Sequence, residues 1–519
     1  MSAEVLRDMI RLTNIRELPP LQAFFEEDIL VPDIKPDVAR IGGCKVEPRL
    51  TEKENYGGSL KLGGDLYLDV IYTPAASGDK PAEVANARIP FRHEGQIEEI
   101  TGELEIVPRV EHLEVTMINE RKLRMKTVIS FSVREYQDIE RNVFRGFRND
   151  KVEMLEKNIV FTDIADHKKD YIEVKDEARL KDGMPEIDCV LKSDFRVAET
   201  YRQITADKAI ISGVLFYDIM YLSEESEPEP MTLSGKTEFT HFIKPDQSSE
   251  IIGSDVFMKV DDVRVVPKRD ESDNMTIFDI IAGVSVRLDT FTDRTLQIVE
   301  DAYHGKDILD LEKEEINLMR FGGSGSADIS AREKIEFGHS ENIEKIVFAS
   351  GEAVPAGGEI GNGKFSVEGV ILADVLYTPE EGIGLKSMTV ELPFRGVADV
   401  PGLKPGMNVN VDFVVKNVSG EKINDRQAEV TADIMVAVKG FENITLEYIK
   451  NAGTYDNVQD RDDNTTRLIM YMTKNNDRLW DVGKRYRIPL AEIKDFNGMD
   501  ESLPPEFVVS GGEKLLIWT

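Results

Sequence analysis

Three aspartates stand at the same place in a pattern that occurs three times: Gly64…Asp69…Tyr72, Gly213…Asp218…Tyr221 and Gly369…Asp374…Tyr377. A carboxylate within an apolar strand can ligate a metal, shuttle a proton or accept structural hydrogen bonds. No second ligand repeats beside it, which disfavours a metal. Burying an unpaired charge is costly, so the expectation is a structural bond to a neighbouring loop. The other reactive side chains are dispersed. His93, His112, His167, His241, His304 and His339 include no pair at metal-ligand spacing. Cys44 and Cys189 form no CxxC site, and Cys44 maps onto Ser193 in the repeat. Two such cysteines exclude a disulfide scaffold and fit a reducing compartment. The run Gly322-Gly323-Ser324-Gly325-Ser326 lacks the Lys-Ser/Thr that a phosphate loop needs. These residues make no catalytic constellation. The reading is of a protein that is not an enzyme and takes no metal or cofactor.

Recognition residues concentrate at the C-terminus. From Arg467 to Thr519 eight basic residues balance eight acidic ones, whereas the whole chain carries −33. The acidity therefore belongs to the residues before the tail. Such a surface repels nucleic acid and anionic lipid and favours solubility or a basic partner. Within the tail an apolar strand, Leu468 to Thr473, leads through Asn475-Asn476 to Asp477, a residue type that caps helices. A helix to Tyr486 would carry Leu479, Val482 and Tyr486 on one face. A second, Leu490 to Phe496, stops at Asn497-Gly498, and Gly511-Gly512 turns into a closing strand, Lys514 to Trp518. The tail thus reads β-α-α-β.

The elements that precede it must present this tail. The interval from Val38, Ile187 or Ile343 to the repeated Asp is 31 residues in each copy, so one unit of about 150 residues is present three times. The hydrophobic fraction, 41%, suffices for ordinary cores and excludes a disordered chain. Each copy reads as strands. Leu66, Leu68, Val70 and Tyr72 share one face, with Tyr67, Asp69 and Ile71 on the other, as in a strand covered on both sides. Lys126 to Val133 and Ala428 to Val438 alternate cleanly, and turn signals recur every ten to fifteen residues. The expected fold is mainly β: three tandem sandwich- or barrel-like units, at 21–150, 151–318 and 319–452. An acidic linker at 453–466 and the tail domain at 467–519 follow. Residues 1–20 carry Val5, Leu6, Met9 and Ile10 at helical spacing before Pro19-Pro20, and read as an amphipathic helix docked on the first unit. Arg7, Asp8 and Arg11 interrupt any secretory signal, and no stretch approaches a transmembrane span, so the chain reads as soluble and cytoplasmic.

On these residues the tail resembles a LysM domain: Asp477-x-Leu479-Trp480-Asp481-Val482, Lys484-Arg485-Tyr486, Ile493, Asn497-Gly498 and Gly512 to Ile517. The resemblance implies an N-acetylglucosamine groove lined by Asn476, Asp477, Arg478, Leu479, Asn497, Gly498 and Met499. Two departures stand out. The usual Gly-Asp-Thr is Asn476-Asp477-Arg478, placing a bulky Arg where a sugar would lie, and the usual helix Ala is Gly483. The repeats resemble the SPOCS family, chiefly at Val31-Pro32-Asp33-Ile34-Lys35-Pro36-Asp37, with Met184-Pro185-Glu186-Ile187 and Glu341-Asn342-Ile343 in the later copies.

SPOCS repeats followed by a LysM domain are similar to the spore-coat morphogenetic family of clostridia. That resemblance implies a scaffold made in the mother-cell cytoplasm and placed at the forespore surface. It also implies a LysM domain that binds stage IV sporulation protein A, the ATPase that polymerises there, with other coat proteins as further partners. A protein partner predicts a small hot spot including Trp480, Trp518 and Ile488, the remaining contacts contributing little. A peptidoglycan-binding wall protein is the alternative, and would call for an export signal or a catalytic module.

Overall fold

In this computed structural model residues 4–518 are described, except 76–79, 149–151, 206, 247–249, 306, 339–341, 383 and 456–467. The linker expected at 453–466 therefore lies largely outside the described residues.

Each unit opens with a long strand, β1 (Val5–Leu30), β7 (Val152–Arg179) or β13 (Ile308–Glu336). A three-stranded meander follows. It comprises β2 (Val38–Tyr56), β3 (Ser59–Pro74) and β4 (Glu83–Gln96) in the first unit, and β8 (Ile187–Ile204), β9 (Ala209–Ser223) and β10 (Pro230–Ile243) in the second. The third has β14 (Ile343–Ile360), β15 (Lys364–Pro379) and β16 (Lys386–Asp399). A fifth strand, β5 (Glu103–Asn119), β11 (Gly253–Arg269) or β17 (Asn408–Asn424), turns into a second long strand. This is β6 (Lys122–Phe147), β12 (Met275–His304) or β18 (Gln427–Tyr455), and it pairs antiparallel along the opening strand. The larger sheet of unit one has the order β1-β6-β5. The other two join through the Met319–Thr162 bridge into one sheet, β11-β12-β7-β13-β18-β17.

The mainly β expectation holds, and the burial pattern shows why. Along β6, Leu123, Met125, Ile129, Phe131 and Val133 point into the unit core at period two. Strand β3 is covered on both sides: Leu66, Leu68, Val70 and Tyr72 enter that same core, while Ile71 faces the neighbouring units. Ile71, Met220 and Leu376 occupy equivalent places and meet in one buried cluster, so the three meanders converge on a common pseudo-threefold axis.

Beyond the meanders the paired long strands continue as three ribbons and form a stem. Leu12 and Val143, Phe161 and Leu296, Leu318 and Tyr448 supply its interior from units one, two and three. Phe144, Val299 and Ile449 repeat the layer further out. Salt bridges link unit one to unit two and unit two to unit three at the stem's base. Arg134, Arg287 and Lys439 follow a Val at equivalent positions of β6, β12 and β18. Glu105 of unit one binds Arg134 and Arg287, Asp255 of unit two binds Arg287 and Lys439, and Asp412 of unit three binds Lys439. Arg287 and Lys439 are buried, so each carboxylate shared between units offsets a desolvation cost that neither unit could bear alone.

Two expectations fail here. Residues 5–20 are the first part of β1, not a helix. Val5 to Leu18 pair with Phe147 to Val133, burying Leu12 and Leu18, and Pro19-Pro20 sit at the register shift between Leu18 and Leu21. The ladder along β6 overrides a helical spacing that spans only six residues. The expected boundary at 318/319 likewise falls inside β13, whose middle is the run Gly322 to Ser326. A Cβ at Gly323 or Gly325 would overlap the carbonyl oxygen of Pro401 or Asp399, so the glycines admit a crossing backbone.

Candidate functional site

The tail domain consists of β19 (Leu468–Met472), α1 (Leu479–Tyr486), α2 (Leu490–Phe496) and β20 (Lys514–Trp518). One face of the antiparallel β19–β20 sheet, Ile469, Tyr471, Leu515 and Ile517, packs on the helices. The helices in turn rest on the tip of the second unit's ribbon. Trp480 is 1% exposed, and its indole stacks edge-on against Tyr303 of β12 with ring centroids 5.0 Å apart. Its Nε1 donates to Asp301 Oδ2 at 2.9 Å, and the Lys484 ammonium reaches both oxygens of that carboxylate at 2.6 and 2.7 Å. The Tyr303 hydroxyl donates to the Ile488 carbonyl at 2.7 Å. Burial drives the Tyr303 phenol well above its ordinary pKa, so it stays a donor. Glu153 of β7 accepts the Leu490 amide, and burial raises its carboxyl pKa.

This seat corrects part of the expected binding site. Leu479, Trp480 and Ile488 are all buried, the last two against the second unit, so none of the three is available to a partner. It also accounts for Gly483. A Cβ there would lie 2.5 Å from the Tyr303 hydroxyl, so the residue departs from Ala because the helix must admit that ring. The docking residues Tyr303, Asp301, Leu155 and Glu153 were not foreseen. Gly483 was the sequence signal for them.

The groove residues are more various. Asn476 is exposed with φ +70°, a left-handed conformation Asn tolerates. Asp477 does not cap α1, which has no side-chain cap. Its Oδ2 accepts instead from the Tyr471 hydroxyl at 2.6 Å and the Lys474 amide at 2.8 Å, and these hold its carboxyl below the usual range. Arg478 closes its fork on Asp481 with two bonds of 2.9 Å. Asn497 donates to the Ile493 and Leu516 carbonyls and accepts from the Leu516 amide at 2.6 Å, tying α2 to the outer edge of β20. Met499 is half-buried against the tail core, and Gly498 is exposed. The polar groups expected to meet a sugar are therefore mostly engaged within the domain.

The other face of the two-stranded sheet is open and mostly apolar, with Lys514 exposed opposite Met472. Leu468, Met470 and Met472 on β19 are 58%, 59% and 51% exposed. Trp518 is about half exposed and stacks on Phe496, also half exposed, at 6.1 Å.

The other candidates are structural. Asp69 accepts from Asn86 at 2.6 Å, Asp374 from Thr389 at 2.8 Å, and Asp218 pairs with Arg196. The partners lie on adjacent strands rather than on a loop. Opposite these aspartates stand Lys45, Asp194 and Ser350, and Lys45 joins Asp194 across the first two units at 3.3 Å. Burial lowers the pKa of Lys192, whose ammonium lies over the Phe348 ring of unit three. Burial also pushes the Cys44 thiol up to about 11, away from nucleophilic chemistry. An open cleft of about 790 Å³ between the first two ribbons is charged, but its groups pair locally: Arg294 with Asp163, and Arg11 with Glu140. Among the described residues no group of His, Cys, Asp and Glu could hold a metal ion, and no helix is long and apolar enough to cross a membrane.

Such an architecture is that of a tandem-repeat β protein carrying a small β-α-α-β module at its C-terminal end. Residues 37–118, 186–267 and 342–424 match the family described as SipL, SPOCS domain, so the chain carries three SipL-type SPOCS repeats, which supports a sporulation coat-related protein. Each matched stretch covers one meander and the fifth strand behind it, leaving the long ribbon strands outside. No curated protein and no solved structure matches the chain.

Proposed function

We propose that this protein is a non-enzymatic adaptor of spore-coat assembly that tethers the coat to the forespore. Its LysM-like tail would bind stage IV sporulation protein A, the coat ATPase, and the three SPOCS units would hold that tail on a common stem while meeting other coat proteins. The observation that carries this reading is the division of the tail's surface. Its helices rest on the chain's own second unit, its groove residues Asp477, Arg478 and Asn497 are engaged by neighbours within the tail, and an apolar strip with a half-exposed tryptophan is left facing solvent. An exposed apolar strip of this kind suits a protein surface better than a hydrophilic glycan.

The test is a pull-down with the full chain against the ATPase and against a chitin-type oligosaccharide, repeated with Trp518→Glu. Capture of the ATPase by the wild type alone, with no glycan retained, is the expected result. Glycan capture without the ATPase would move the protein to the cell wall.

A further inference from the structure

The two edges of the tail's two-stranded sheet differ. On β20 the amide and carbonyl of Leu516 both point away from β19, because Asn497 takes both. Leu516 stands opposite Met470, so the backbone groups of Met470 must also point away from their partner strand, as must those of Leu468 and Met472 by alternation. Among the described residues no further strand pairs with β19 on that side, and no side chain or backbone group bonds to these three residues there. One edge is plugged and the other is open. The same three residues carry the exposed apolar side chains of the strip.

We propose that β19 is a strand-addition site: an extended segment of a protein partner pairs along Leu468, Met470 and Met472 and turns apolar side chains onto the strip that ends at Trp518. The proposal rests on the adaptor reading and adds how the tail grips its partner. An open ladder edge offers alternating donors and acceptors at the repeat of a β-strand, which an extended peptide satisfies and a pyranose chain does not. The apolar row above it selects apolar residues at alternate positions. Exposed edges are ordinarily blunted by charge, proline or a covering loop, yet at β19 three apolar residues stand in line without a charged one between them on that face.

Met470→Pro tests this in the full-length chain. The proline removes an N–H that faces the open edge and leaves the bonds to β20 intact, which is why proline is tolerated on edge strands. Affinity for the ATPase should fall at least about tenfold, with the Trp480 fluorescence of the seated tail unchanged. Independently of any variant, hydrogen exchange at the Leu468, Met470 and Met472 amides of the wild type should slow when the ATPase is added, while Ile469 and Tyr471 are protected throughout. Equal binding by M470P, or unaltered exchange at those amides, overturns strand addition and leaves the adaptor reading standing. Failure of the wild type to bind the ATPase defeats both. Concentration-dependent dimerisation abolished by M470P would make the occupant a second copy, and binding of N-acetylglucosamine oligomers lost in M470P would make it a glycan; either overturns the proposal.

Discussion

The tail's two tryptophans mark two regions built on opposite principles. Around Trp480 everything is satisfied: the ring is sealed against Tyr303, the indole N–H has a carboxylate, and that carboxylate also holds Lys484. Around Trp518 the surface is unfinished, with an aromatic stack, three aliphatic side chains and an unpaired strand edge in solvent. A module that spends its best-packed face on its own chain can present the other in one fixed orientation. The difference teaches that an aromatic residue in a binding-module pattern is no guide to where the partner lies; its surroundings decide.

Truncating each ring separates the two regions most strongly. Trp480→Ala should destabilise the tail by about 3–5 kcal/mol, as for other large-to-small core changes, and free it from the ribbon. Trp518→Ala should shift stability by under about 1 kcal/mol yet cost most of the partner affinity. Thermal unfolding and the pull-down together separate the two. Equal stability losses would erase the distinction between a structural and a recognition face.

Gly483 probes the seat more finely. Restoring the usual Ala puts a methyl against the Tyr303 hydroxyl and the Leu490 side chain, an overpacking worth about 1–3 kcal/mol. Combined with Tyr303→Phe, part of that cost should return, although the hydroxyl's bond to Ile488 is forfeited. A double-mutant cycle on tail unfolding measures the coupling, and additive effects would show that the two groups do not meet.

These tests bear on what a sequence can disclose. Period-two burial and a 31-residue interval disclosed the units, because strand faces and repeats are local patterns. The tail's two helices and closing strand were legible too, Leu490–Phe496 and Lys514–Trp518 at their observed bounds. Residues 5–20 and Gly322 to Ser326 were not, since their state is set by distant strands: β6 for the first, the backbone at Asp399 and Pro401 for the second. The binding face failed for the same reason. Near Trp480 only Gly483 hints at a covered face, and nothing in the local sequence points to Asp301 and Tyr303, about 180 residues away, whereas Trp518 stays half exposed because no described element covers it.

Acid should act oppositely on the joint and on the stem. Burial raises the Glu153 pKa in the seated state, so its contribution is greatest below the unfolded value of about 4.3 and is lost as pH rises through the folded one. Glu135, buried in β6, is opposed by its burial, but the Thr101 and Gly102 amides and Arg16 outweigh this and hold its pKa below normal. Its stabilisation is present above about 4.3 and lost as pH falls through the lower folded value. Between pH 6 and 4, scans should therefore show the wild-type seat tightening relative to Glu153→Gln. Below that range the first unit should weaken, and Glu135→Gln should flatten that loss. A seat that loosens on acidification would contradict the burial of Glu153.

The smallest effect concerns Arg478, once expected in the binding groove. Its guanidinium is committed to Asp481 in an exposed pair, and such pairs contribute about 0.2–1 kcal/mol. Arg478→Ala should thus lower tail stability only slightly, by an amount that shrinks further in high salt. It should leave ATPase capture unchanged, because the fork points along its own helix and not towards the β19 strip. The same variant should not create glycan affinity, since Asn497 remains tied to Leu516 and Asp477 to Tyr471 on either side of the groove. A titration with N-acetylglucosamine oligomers that gains affinity on losing Arg478 would mean that this side chain alone blocks the sugar site, and would return the polar loops to the binding surface.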